Sequence, residues 1–198
     1  MKTVNVSLVG VGDQGIILTA DLLAKTAAIA GYDVKKSEIH GMAQRGGSVT
    51  SQVRFGDSVA SPIIQEGTAD ILVSFDKLEA VRNVGILAKG GTALVNDLYL
   101  TPVTVSSGQQ QPVADLDGRV KKCFRKLVLV DAMKMAEEVG NTRTMNMVIA
   151  GSLSALCPFG ESVWLKALEA LLSGPKAKLL EVNRKAFQLG RAAALQKR

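Results

Sequence analysis

The chain has 198 residues, with 24 Lys and Arg against 18 Asp and Glu, one His, 47% hydrophobic residues and 4% aromatics. Hydrophobicity near half with 21% charged residues excludes a largely disordered chain, and a chain of this length buries about 70% of its unfolded surface without covalent staples. Two cysteines exclude a disulfide scaffold and fall short of the four thiolates that usually hold an iron–sulfur cluster.

Taken in chain order, Val4–Val9 reads as a buried strand, and Gly10 to Gly15 as a turn. A helix follows from Ile16 to Gly31, with Ile16, Leu22, Leu23, Ala27 and Ala30 on one apolar face. Gly31 suits the left-handed end of that helix. Asp33–Ile39 reads as a second strand, which predicts a strand–helix–strand unit crossing over right-handed in a parallel sheet. Residues 40–47 have no hydrophobic period and read as a loop. Ser48–Phe55 alternates and reads as a strand, Ala69–Phe75 as a central strand, Lys77–Leu87 as a short helix and Thr92–Asn96 as a strand. Pro102–Pro112 reads as a loop with room for a short edge strand, and Leu127–Asp131 as the last strand. Helical spacing then covers Ala132–Val139, Met145–Leu156, Ser162–Leu172 and Ala177–Leu195. The expected fold is α/β: a mixed, mostly parallel, Rossmann-like sheet flanked by helices, with a helical C-terminal extension. One domain is expected over 1–198, with an α/β body over about 1–131 and a helical part over about 132–198. The first apolar run is too short to span a membrane and carries no secretory pattern, so a soluble, cytoplasmic protein without membrane contact is expected.

Charge is unevenly placed. Residues 1–118 carry 9 Lys and Arg against 12 Asp and Glu, and residues 119–198 carry 15 against 6. This asymmetry fits an acidic partner or phosphate ligand, or equally a solvated lysine-rich surface. Arg119-Val120-Lys121-Lys122-Cys123-Phe124-Arg125-Lys126 concentrates it. Aromatics are scarce and no recognition motif is visible, so a solvated edge or docking patch is favoured over nucleic acid. No base or partner for Cys123 is evident. One histidine and two distant cysteines offer no metal-ligand spacing, so no metal site is expected.

Two runs carry chemistry. Gly10-x-Gly12-x-x-Gly15 follows a strand and opens a helix, as a dinucleotide fingerprint does, and makes Gly10, Gly12, Gln14 and Gly15 turn or anion candidates. Asp13 inside the turn repels a phosphate, or instead caps the helix. Glu38, 23 residues after Gly15, fits the ribose-binding acid only loosely. The second run, Glu38-Ile39-His40-Gly41-Met42-Ala43-Gln44-Arg45-Gly46-Gly47-Ser48, holds the sole histidine. It sets an acid, an imidazole, an amide and a guanidinium among three glycines. Glycine admits close backbone approach, Arg45 is a bidentate donor to carboxylate or phosphate, and His40 exchanges a proton near neutral pH. Glu38, His40, Gly41, Gln44, Arg45, Gly46 and Gly47 are therefore candidates for an interface or binding site, with no residue assigned as catalytic.

The stretch GVGDQGIILTADLLAKTAAIAGYDVKKSEIHGMAQRGGSVTSQVRFG resembles the gamma-type domain of 2-oxoacid:ferredoxin oxidoreductases. It looks closest to the small (beta) subunits of the indolepyruvate ferredoxin oxidoreductases. The match is dense from Met1 to about Phe55 and looser through Ala69–Phe75, Asn141-Thr142-Arg143 to Asn146, and Gly151–Leu156. The EIHGMAQRGGSV run is its specific part, and relatives usually have glycine in place of Asp13. The resemblance implies a subunit of a thiamine diphosphate enzyme that oxidatively decarboxylates an arylpyruvate, forms the acyl-CoA and passes electrons to ferredoxin. It implies that thiamine diphosphate and iron–sulfur clusters sit on a large alpha subunit and that this chain alone binds no cofactor. It also places Glu38–Gly47 near the coenzyme A cleft at the subunit interface. A stand-alone dinucleotide-binding module and a pure assembly scaffold remain the alternatives, and self-association of the isolated chain is a further expectation.

Overall fold

A computed structural model describes residues 1–40 and 47–197, with the backbone alone at His40. The strands are β1 (Val4–Val11), β2 (Asp33–His40), β3 (Ser48–Gly56), β4 (Ala69–Ser74), β5 (Leu87–Asn96) and β6 (Leu127–Val130). The helices are α1 (Ile16–Ile29), α2 (Lys77–Arg82), α3 (Val103–Ser106), α4 (Leu116–Cys123), α5 (Ala132–Glu138), α6 (Met145–Ser154), α7 (Glu161–Leu171) and α8 (Leu180–Leu195). The strands form a six-stranded sheet in the order β2-β3-β1-β4-β5-β6. Strands β1, β4, β5 and β6 are parallel, and β3 is antiparallel to both β1 and β2.

The sheet is mixed and mostly parallel, but the first unit differs from expectation. β2 runs in the direction of β1 without touching it, because β3 lies between them. Only residues 41–47 join β2 to β3. That connection is too short for a parallel crossover and returns the chain antiparallel, against β1. Glycines concealed the start of β5: Gly91 lies against the Ala69 carbonyl, where a Cβ would come within 2.9 Å, and the β4–β5 register shifts there. The helix expected to reach Leu87 stops at Arg82 and continues as a 3-10 turn over Val84–Ile86. Pro102–Pro112 holds the short helix α3 and no strand. Helix α4, missed in the basic run, buries only Val120, so it carries little apolar periodicity. The last helix begins at Leu180, after a 3-10 segment over Gly174–Leu179. Ala30, expected on the buried face, is exposed beyond the end of α1.

Alternation along the strands divides the core between two faces. Val6 and Leu8, Ile71 and Val73, and Leu94 point to the face covered by α1, α5, α6, α7 and α8. Val9, Leu72, Ala93 and Val95 point to the other face, where Ala80 of α2 and Val120 and Phe124 beside α4 cover them. The C-terminal helices therefore pack into the same core as the sheet. Aromatic rings extend that core: Phe159 lies 5.0 Å from Phe55 and 6.3 Å from Trp164, and Trp164 lies 5.9 Å from Phe187, between ring centroids. Among the described residues no helix is long and apolar enough to cross a membrane.

Helices α6 and α8 meet backbone to backbone. A Cβ on Gly151 would lie 1.9 Å from the Phe187 carbonyl oxygen, and one on Gly190 equally close to that of Val148. The Ser152 hydroxyl donates across the crossing to the Gly190 carbonyl at 3.0 Å. Gly151→Ala must separate the helices, and the unfolding free energy in urea is expected to fall by about 1–3 kcal/mol, the usual cost of overpacking. The two cysteines also differ. Cys157 is partly buried and burial pushes its thiol up to about 12, with Arg191 opposing, whereas Cys123 is exposed. At pH 8 a disulfide reagent should modify Cys123 quickly and Cys157 only after denaturation.

Candidate functional site

The parallel strands place their carboxyl ends along one edge. At that edge the chain leaves β1 for α1 on one face of the sheet and leaves β4 for α2 on the other. Adjacent parallel strands whose connections part to opposite faces leave a crevice outside their carboxyl ends, where open α/β sheets bind ligands. Two clefts open here. One, of about 530 Å³, is lined by Gly12, Asp13, Gly15, Ile16, Ile17 and Asp21 among others, with Lys176 beside them. The other, of about 330 Å³, is lined by Gly12, Ser48, Asp76, Glu79, Arg82 and a wall of Leu100, Pro102 and Val103.

The sheet register brings the two sequence motifs to this edge. His40 of β2 pairs with Val49 of β3, and Val49 pairs with Gly10 of β1. The Gly12 N–H donates to the Gly47 carbonyl at 2.9 Å, fastening the glycine turn to the end of the His40–Ser48 run. Gly41, Gln44, Arg45 and Gly46 lie outside the described residues, so their expected roles rest on the sequence.

The turn itself is accounted for by internal packing. A Cβ on Gly10 would lie 2.6 Å from Gln14 Oε1 and 2.8 Å from Phe75 Cβ. Gly15 has φ 82° and backs onto Asn146 of α6, whose Nδ2 would lie 2.6 Å from a Cβ there. Its close contact is with a neighbouring helix rather than with a strand. Asp13 also takes a left-handed backbone, φ 74°, a conformation glycine adopts freely. Asp13 is not the N-cap of α1: that position is Gly15, which has no side-chain cap hydrogen bond. Gln14 is buried, with Oε1 accepting from the Val11 N–H at 2.7 Å and Nε2 donating to the Phe75 carbonyl at 3.2 Å. Its amide is occupied by backbone rather than presented to an anion.

Glu38 bonds Lys36, which also bonds Asp21 of α1. Burial pulls the Lys36 ammonium down, but the two carboxylates outweigh it and hold its pKa above the ordinary lysine value. Glu38 thus helps tie β2 to α1.

Sequence reasoning missed the acids of the second cleft. Asp76 is the N-cap of α2: its Oδ1 accepts from the Leu78 and Glu79 N–H groups and its Oδ2 from the Leu100 N–H at 2.7 Å. Burial pushes its carboxyl above the usual range, against those three hydrogen bonds. Glu79, 2% exposed, accepts from the Ser48 hydroxyl at 2.6 Å and from the Arg82 guanidinium at 2.7 Å. It clamps the first residue of β3 to α2. The spacing Asp76-x-x-Glu79 after an apolar run is the signal that was available, a capping-box pattern. Asn146 was named only through the resemblance. It lies behind Gly15, and its backbone carbonyl accepts from the Thr19 hydroxyl at 3.4 Å.

An open α/β sheet with a glycine-turn crevice at its carboxyl edge, backed by a helical layer, places the chain in the class of α/β domains that bind ligands at that edge. Residues 5–193 match the family model described as pyruvate ferredoxin/flavodoxin oxidoreductase, and the chain belongs to that family. It is 41% identical to the indolepyruvate oxidoreductase subunit IorB of Pyrococcus horikoshii, over 98% of this chain and 97% of that one. The corresponding subunit of Thermococcus kodakarensis is also 41% identical, over the same shares of the two chains. Among solved structures, the gamma subunit of a keto/oxoacid ferredoxin oxidoreductase from Geobacter sulfurreducens superposes with a TM-score of 0.71 at 25% identity. That superposition covers 98% of this chain and 99% of that one.

Two substitutions test the site's internal supports. Gln14→Ala orphans the half-buried Val11 N–H and is expected to lower the unfolding free energy in urea by about 1–3 kcal/mol. Asp76→Ala removes a helix cap and the Leu100 tether, with an expected loss of about 1–2 kcal/mol in the same measurement.

Proposed function

We propose that this chain is the small subunit of an indolepyruvate-type 2-oxoacid:ferredoxin oxidoreductase and that its carboxyl-edge crevice faces the larger subunit that carries the reaction centre. The observation that carries this reading is the near end-to-end identity of 41% with indolepyruvate oxidoreductase subunits. The convergence of the glycine turn and the His40–Ser48 run at one edge supports it.

In the proposed reaction the 2-oxoacid loses carbon dioxide, its acyl carbon forms a thioester with coenzyme A, and two electrons and one proton leave, the electrons to two ferredoxins. Thiamine diphosphate supplies the carbanion chemistry when bound to the partner. The donors of this chain do not fit an iron–sulfur cluster. Its sequence has two cysteines, one exposed at the end of α4 and the other with its thiol pushed up to about 12 by burial. No electron-transfer step is therefore assigned to it.

The role of this chain is to shape one wall of the assembled site. Glu79 and Gly12 hold the two residues that end the His40–Ser48 run, Ser48 and Gly47. On its sequence chemistry Arg45 is assigned to an anionic group of substrate or coenzyme, with His40 and Gln44 as further candidates. A stand-alone dinucleotide site is disfavoured, because Asp13 and Asp21 line the cleft beside the turn where a pyrophosphate would lie.

Expressed alone, the chain should reduce no electron acceptor with arylpyruvate and coenzyme A, and with its larger subunit it should. Turnover by the chain alone would overturn the division of labour. In the assembled complex, Arg45→Ala should lower kcat/KM for coenzyme A or the oxoacid by at least about tenfold while leaving assembly intact, consistent with loss of a charged contact. Full activity would remove Arg45 from the site.

A further inference from the structure

The opposite edge of the sheet carries a second feature that the proposed reaction does not use. At the amino ends of the parallel strands two clefts adjoin, sharing Arg125. One, of about 470 Å³, is lined by Val84, Leu87, Ala88, Lys89, Gly91, Cys123 and Arg125. The other, of about 520 Å³, includes Ile71, Leu127, Leu156, Arg125, Lys126 and Lys197 in its lining. Together the linings contain four cations and no carboxylate.

Among the described residues no carboxylate neutralises these cations. The Lys126 ammonium donates to the Gly90 carbonyl and that of Lys197 to the Leu129 carbonyl. Among the described residues, none of Lys89, Arg125, Lys126 and Lys197 forms an ion pair, whereas Lys36 and Lys77 each hold two carboxylates. Lys122, exposed on the last turn of α4, directly precedes Cys123. The excess of 15 Lys and Arg over 6 Asp and Glu in residues 119–198 is thus concentrated in part at one place.

The chemistry of the linings selects among anionic ligands. No aromatic side chain lines either cleft, so a single-stranded nucleic acid finds no stacking platform. Neither cleft is built on a helix N-terminus. Instead a cationic rim surrounds apolar floors: Val84, Leu87 and Ala88 in one, Ile71, Leu127 and Leu156 in the other. Acidic side chains interleaved with apolar ones match that pattern, and complementary charge sets orientation and association rate at protein interfaces.

We propose that the two clefts around Arg125 form one docking surface for an acidic, apolar-interleaved segment of a partner protein. It lies at the edge of the sheet opposite the carboxyl-edge crevice, and its occupancy does not depend on the function proposed above. The surface orients the partner by charge and holds it by the apolar floors.

The test uses the full chain and a synthetic peptide that alternates glutamate with leucine, titrated by fluorescence anisotropy. The expected result is saturable binding that weakens with salt and falls at least about tenfold in Lys89→Glu/Arg125→Glu. The control Lys134→Glu/Lys178→Glu, with the same change in net charge outside both linings, should bind as the parent does. Far-ultraviolet circular dichroism of both variants checks that they are folded. Equal weakening in the two double variants would reduce the effect to net charge and overturn the proposal. So would absent peptide binding, or equal or tighter binding of inorganic pyrophosphate or a single-stranded oligonucleotide in parallel titrations.

Discussion

The backbone carbonyl of Phe75, just past the end of β4, accepts two buried side-chain amides, Gln14 Nε2 and Asn96 Nδ2, each at 3.2 Å. The N–H of the same residue donates to the Val9 carbonyl at 2.9 Å. Gln14 reaches back to Val11, and Asn96 Oδ1 accepts from the Ala132 N–H at 3.0 Å, at the start of α5. The ends of β1, β4 and β5 and the beginning of α5 are thereby joined around one residue. Both side chains are buried, and in such a setting each amide stabilises only while its partners stay in place. The position of the glycine turn, and with it the crevice, depends on this junction.

From that junction the fold acquires two unlike ends. At the carboxyl edge, α1 and α2 leave on opposite faces, and the turn is packed on one side by Asn146 of α6 and on the other by the end of β3. Its clefts mix charges: Asp13 and Asp21 with Lys176 in one, Asp76 and Glu79 with Arg82 in the other. At the amino edge the clefts hold only cations among their charged residues. Linings that differ in charge at the two ends of the sheet are suited to contacts with two different surfaces.

Much of the fold was legible because its signals are periodic and local. β1, β4 and β6 are apolar runs, α1 has a clear buried stripe, and Gly31, with φ 87°, ends it. What escaped is set by non-local packing. The insertion of β3 between β1 and β2 follows from a short connection and a pairing partner that no local pattern names. The start of β5 was hidden by Gly90 and Gly91, and α4 by having a single buried residue. In the site, the sequence identified both edge runs but not the side chains beneath them. Gln14 read as a turn or anion candidate, because an amide in a glycine turn has the same letters whether it faces solvent or backbone. Asp76 and Glu79 carry a capping-box spacing, which marks the start of α2 but does not distinguish a cap from the wall of a cleft.

The central claim is that the carboxyl edge is the face turned toward the larger subunit. Hydrogen–deuterium exchange of the small subunit, free and assembled, measures this directly. The account predicts that assembly slows exchange at Gly12–Leu18, at Gly47–Val49 and around Asp76–Glu79, with the outer faces of α7 and α8 unchanged. Slowing confined to α7 and α8, with the carboxyl edge exchanging as in the free chain, would contradict it.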